Sequence, residues 1–149
     1  MSSALDSLVK SGQLKVEPTS KAEVAGFLAN ANQALVDAQI PELSSANCFK
    51  LAYDAAHALS LVAMRLRGYR PGAGPGHRAI VFQSLVHTIG ALAELASSLN
   101  RYHTKRNRSE YDGLVSATDA DARDMLALTK NLQSLGVGWL EQNRPELLE

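Results

Sequence analysis

The densest set of chemically capable side chains in the sequence is Tyr102-His103-Thr104-Lys105-Arg106-Asn107-Arg108-Ser109-Glu110-Tyr111. Its basic residues are packed among aromatic, imidazole and amide groups, all of which engage phosphates or bases. Wound as a helix, the segment puts His103, Asn107 and Tyr111 along one edge at i, i+4 and i+8, with Arg106 beside them. An arginine presents a planar fork of donors that suits a phosphodiester, and the neighbouring amide can orient the same group. His103 is the one nearby residue whose ordinary pKa, about 6.5, suits general-base work near neutrality. Tyr111, with an ordinary pKa of about 10, is a hydrogen-bond donor rather than a base. Arg106, Asn107, Tyr111 and His103 therefore form the candidate catalytic set, and Arg101, Lys105 and Arg108 are expected to contact nucleic acid around it.

Charge distribution points the same way. The chain has 15 Lys+Arg and 15 Asp+Glu, so its net charge is zero. Between Ala55 and Ser109, however, eight basic residues face one acid, Glu94, which makes this stretch +7 and the remainder −7. Asymmetry of this kind suggests an anion-binding face, with nucleic acid the leading partner. The alternative is a solvated basic surface balanced by acidic neighbours.

Other constellations are weaker. Asp54 and His57 are three apart on one helical face with Lys50, and form either a satisfied polar cluster in the bundle or supporting groups aimed at the basic segment. Gly72-Ala73-Gly74-Pro75-Gly76 lacks a preceding strand and a Gly-Lys-Ser/Thr ending, so it reads as an inter-helix loop rather than a nucleotide motif. His77 and Arg78 follow it, and are expected either to join an anion site or to decorate a helix start. No two histidines have the spacing that places two ligands on one helical face, so neither metal nor cofactor is expected. Cys48, the single cysteine, reads as small core filler.

These residues must be carried by helices. Apolar residues recur at three-four spacing, and no run alternates long enough to argue for a strand. The sequence predicts a short lead helix, Ser2 to Ser11, stopped by Gly12, then a linker from Gln13 to Thr19. A helix follows from a capping box at Ser20-Lys21-Ala22-Glu23 to before Pro41. The next, Ser45 to Arg67, is apolar around most of its circumference and should be central. Beyond the loop from Tyr69 to Gly76, a core helix opens at His77, with Gly90 as a weak point, and is expected to break near Ser97-Ser98 or Asn100, before the charged segment. The last helix opens at Thr118 and ends at Asn143-Arg144-Pro145. An all-α, up-and-down bundle of four to five helices follows. It is expected to form one domain over residues 1–149, with 1–19 as lead and linker. With neither a span of about 20 apolar residues nor a signal-peptide layout, the chain is expected to be cytoplasmic.

Arg106-Asn107, followed after three residues by Tyr111, resembles the signature of HEPN domains, which in many members is Arg-Asn, a few residues, then His. The order of a helix containing Leu51-Ala52-Tyr53-Asp54-Ala55-Ala56-His57, then Arg67-Gly68-Tyr69, a Gly/Pro loop and His77 is similar too, so the resemblance covers about residues 20 to 140. It implies a helical bundle, a symmetric dimer with facing motifs, and metal-independent RNase activity in toxin–antitoxin, phage-defence or RNA-processing systems, commonly beside a minimal nucleotidyltransferase. Carried over, Arg106 holds the phosphate, Asn107 orients it, and Tyr111 stands where the family has its catalytic His. The functions in competition are a metal-independent RNase, a nucleic-acid- or nucleotide-binding module without catalysis, and an interaction protein paired with a nucleotidyltransferase antitoxin.

Overall fold

Residues 3–73, 77–112 and 117–148 are described by a computed structural model in which helices dominate and the only sheet among them is a pair of three-residue strands. In chain order the elements are α1 (Ser3–Lys10), β1 (Leu14–Val16), α2 (Lys21–Ala38), α3 (Ser45–Leu66) and β2 (Tyr69–Pro71). After these come α4 (His77–Gln83), α5 (Leu85–Thr88), α6 (Ala93–Asp112), α7 (Asp119–Asn143) and a terminal 3-10 turn (Pro145–Leu147). The architecture is an all-α helical bundle.

The alanine-rich α3 is its axis. Ala52, Ala55, Ala56 and Ala63 are buried on it, and small side chains let helices approach on several sides at once. Ala38 of α2 joins the cluster around Phe49, near the start of α3, whereas Val24 joins Val62 and Leu66 near its end, so α2 and α3 are antiparallel. α7 runs parallel to α3. The Ser45 hydroxyl bonds Asp119, the Thr129 hydroxyl donates to the Ala52 carbonyl at 3.1 Å, and Arg144 donates to the Leu66 carbonyl at 2.8 Å. The apolar faces of α3 are thus covered within the chain.

Two boundaries differ from the sequence reading. The core helix expected from His77 onward breaks at Ser84 and at its weak point Gly90, where φ is +69°, and not near Ser97-Ser98 or Asn100. Gly90 adopts a left-handed turn that an ordinary side chain resists, while serine and asparagine cost an already buried helix only tenths of a kcal/mol to roughly 0.7. α6 consequently runs without a break from Ala93 through the whole charged segment to Asp112. By contrast, Gly136 and Gly138 do not interrupt α7, whose Leu132 and Leu140 remain buried on either side of them.

The second difference is the ribbon. β1, inside the expected linker, pairs antiparallel with β2, inside the expected loop, in the register Leu14↔Pro71, Lys15↔Arg70 and Val16↔Tyr69. Leu14, Leu5, Met64 and Val81 share a small apolar cluster that fastens ribbon and α1 to the bundle. The ribbon continues into a close backbone approach in which the Gly72 amide donates to the Gln13 carbonyl at 2.8 Å. A Cβ at Gly72 would collide with the Gly12 carbonyl oxygen.

Gly72→Ala should therefore lower the urea midpoint by the equivalent of about 1–3 kcal/mol, the usual cost of overpacking. Gly136→Ala, with nothing within 4 Å of the added methyl, should raise it by about 0.5–1 kcal/mol through helix propensity. Equilibrium unfolding followed by circular dichroism checks both.

Candidate functional site

Tyr53 is fully buried in the middle of α3, and a buried phenol must find a hydrogen-bond partner. Its Oη lies 2.8 Å from Nδ1 of His103 on α6. One helical turn further on, Nδ2 of Asn107 lies 3.3 Å from the other ring nitrogen, Nε2. Asn107 in turn accepts from Arg106, whose guanidinium NH1 is 3.2 Å from Oδ1. The same guanidinium sits over the Tyr53 ring, 5.2 Å from its centroid. Tyr53, His103, Asn107 and Arg106 therefore close a ring of contacts in which each side chain orients the next.

With the Asn107 amide in this orientation, the hydrogen bonds also assign the histidine tautomer. Because Oδ1 of Asn107 takes the Arg106 donor, Nδ2 must be the group facing Nε2, which is then the acceptor of a neutral imidazole. The ring proton accordingly sits on Nδ1 and is donated to Tyr53 Oη. Phe82 of α4, also fully buried, supports the imidazole with its ring 6.2 Å away.

Beside Arg106, a cleft of about 240 Å³ opens between the first turns of α3 and the second half of α6. Lys50, Lys105 and Arg106 bring three cations to it, Asn47 an amide, and Phe49 and Ala117 an apolar floor. No acid lines it. Such a cleft matches a phosphate attached to a flat, partly apolar group.

The other expected contacts are distributed unevenly. Lys105 lines the cleft while also bonding Asp121 in the first turn of α7. Arg101 is mostly exposed, 3.7 Å from Asp124, and covers the ring of Tyr102. Part of the basic excess is thus spent lacing α6 to α7. Tyr102 donates to Asp124 at 2.6 Å, and burial together with that carboxylate pushes its pKa up, so it stays a phenol. Asp54 is exposed on α3. His57 points away from the cleft, packing edge-on at 6.2 Å against the side of Phe82. The side chains of Arg108, Tyr111, His77 and Arg78 lie outside the described residues, although the α6 backbone carries Tyr111 two turns beyond His103. Among the described residues, no group of three or more His, Cys, Asp or Glu could hold a metal ion.

Sequence reasoning missed Tyr53, Asn47 and Phe49 as site members and placed Lys50 with a different group. The available signal was a large phenol in an otherwise small-residue stretch of α3, since a tyrosine there brings a hydroxyl that has to be satisfied. No protein-family model, curated protein or solved structure matches the chain. What fold and site define is therefore a class, a helical bundle with a cationic cleft on its central helix.

Two predictions follow from this geometry. Tyr53→Phe keeps the ring beneath Arg106 but leaves Nδ1 of His103 without its partner, and should cost about 1–3 kcal/mol of stability. Long-range proton–nitrogen NMR should find His103 with its proton on Nδ1 in the wild type and redistributed in the variant. The second concerns acid. The Lys105 hydrogen bond, followed by that of the Thr118 backbone, holds the Asp121 carboxyl below its ordinary range. A carboxylate favoured in this way stabilises the fold fully above its ordinary pKa, and that contribution disappears as pH falls through the lowered value. Asp121→Asn should therefore be less stable than wild type at neutral pH, with the gap in thermal midpoint closing toward strong acid.

Proposed function

We propose that the chain is an HEPN-like, RNA-targeting protein that acts as a metal-independent endoribonuclease of a toxin–antitoxin or defence type. The observation that carries this reading is the closed set Tyr53–His103–Asn107–Arg106, whose guanidinium lines a cleft together with Lys50 and Lys105. It presents a preoriented guanidinium next to a neutral imidazole, which are the two groups that 2′-hydroxyl attack on a phosphodiester requires.

In this mechanism Arg106 and Lys50 bind the non-bridging phosphate oxygens. The phosphate competes with Asn107 for the Arg106 donor, which loosens the amide and uncovers Nε2 of His103. Nε2 accepts the proton of the 2′-hydroxyl as the 2′-oxygen bonds to phosphorus. The bond from phosphorus to the 5′-oxygen breaks, and that oxygen takes a proton from solvent. The products are a 2′,3′-cyclic phosphate and a 5′-hydroxyl. Tyr111 contributes a hydrogen bond to the phosphate and no proton transfer.

A second reading, binding without catalysis, is favoured by one specific feature. Both nitrogens of His103 are already in hydrogen bonds, and the basic lone pair faces Asn107. If Asn107 holds its place when RNA binds, the cleft retains the strand without cutting it. The homodimer and the nucleotidyltransferase partner rest on the family resemblance.

Purified protein, freed of bound chains, should cleave unstructured RNA in the presence of EDTA and leave cyclic phosphate ends. Arg106→Ala and His103→Ala should each reduce the rate by about 10²–10³-fold. RNA that is bound but uncut establishes the binding reading. A wild-type protein that retains no RNA at low salt overturns both.

A further inference from the structure

A second cleft, of about 530 Å³, lies on the same side of α3 and is lined by Lys15, Arg70, His57 and Leu61 with the backbone turn at Pro71 and Gly72. Lys15 and Arg70 are direct cross-strand partners in the ribbon. Like charges in that relation destabilise a strand pair, and this ribbon has only three residue pairs to hold it. Carboxylates near them are already shared. Glu17 lies 3.4 Å from Arg70 but also 3.1 Å from the buried Arg65, which takes Glu23 as well at 2.7 Å. Two acids thus face three cations, and Lys15 is exposed at the edge of the cleft.

The two clefts are joined along one helical row. From the Arg106 cleft, Asn47, Lys50, Asp54, His57 and Leu61 follow α3 at spacings of three and four, each at least partly exposed. Phe82 is packed by both His103 and His57, each ring 6.2 Å from it. Lys50 to Leu61 spans about 16 Å at helical rise, the length of about five stacked nucleotides.

We propose that the Lys15–Arg70–His57 cleft is a second phosphate subsite, and that a single RNA strand lies along α3 with one phosphate at Arg106 and another, several nucleotides away, at Lys15 and Arg70. The proposal rests on the RNA reading above. The like-charged strand pair is then held together by the anion it binds, and the ribbon serves as a measuring device for strand length.

Lys15→Glu separates this role from a structural one, because it turns the repelling pair into an attracting one. Affinity is read by fluorescence anisotropy with labelled single-stranded RNAs of three and nine nucleotides. The variant should bind the longer RNA roughly tenfold more weakly at low salt, the equivalent of one charge-assisted hydrogen bond, with a shallower salt dependence. It should bind the trinucleotide as the wild type does, and its thermal midpoint should not fall. Arg70→Gln should weaken the longer RNA in the same way. If neither variant changes binding of the longer RNA while Arg106→Ala does, the second subsite is wrong and the RNA reading stands, which leaves the cleft to an acidic protein segment. A wild type that binds neither RNA overturns both.

Discussion

One buried hydroxyl organises the site. Tyr53 lies in the most crowded part of the bundle, where leaving its phenol unpaired costs roughly 1–3 kcal/mol. His103 of α6 meets it at 2.8 Å, and the rotation this sets places Arg106, three residues later, on the cleft, with Asn107 between the guanidinium and the imidazole. Packing and chemistry therefore share a cause. The aromatic rings of Phe49, Tyr53, Phe82 and Tyr102 contact one another edge-on or stacked, at 5.6–6.5 Å, and leave the helices little freedom to slide.

Charge in the basic stretch divides by depth and neighbour. Arg65 is 4% exposed, and donates to Glu23, to the Glu17, Pro18 and Tyr69 carbonyls, while also pairing with Glu17, so its charge is consumed internally. Arg67 caps the carbonyls of His87 and Thr88 and lies over Trp139. These two arginines tie elements together and add nothing to an anion site. Arg101 is an exposed partner of Asp124, and a pair of that kind contributes 1 kcal/mol at most by ordinary measure, roughly. Lys50, Lys105 and Arg106 line one cleft, with Lys105 also bonding Asp121, and Lys15 and Arg70 line the other, with Arg70 also pairing with Glu17. A count of charges along the sequence cannot make this division, because burial and partner decide it.

Much of the fold was legible because helix signals are local. Thr118 was readable as a cap from its own neighbourhood, and its capping box with Asp121 is present. Ser20 does cap α2 through the Glu23 amide, but the Glu23 carboxylate has left the box for Thr19 and Arg65. A distant arginine 42 residues away outcompeted the local amide, and such competition is invisible to short-range patterns. The ribbon was illegible for the same reason. Three residues are too few to show alternation, and β1 and β2 are separated by the whole of α2 and α3. Within the site, His103, Arg106 and Asn107 were readable from spacing on one helix, whereas Tyr53 and Lys50 reach them only through the crossing of α3 and α6.

Arg65 is what makes the ribbon part of the site at all. The ribbon by itself is too short to be stable, since two-stranded pairs need a covering face. Leu14 supplies that face against Leu5, Met64 and Val81, but an apolar contact alone would let the strands rotate. The fan of guanidinium bonds from Arg65 to the Glu17, Pro18 and Tyr69 carbonyls fixes the end of β1 and the start of β2 to the same point on α3. Arg65 and His57 are eight residues apart on α3, about 12 Å along its axis. The helix that carries Tyr53 therefore also sets the position of Lys15 and Arg70. Any force that shifts α3 moves both clefts together, and their separation is held by a single rigid rod.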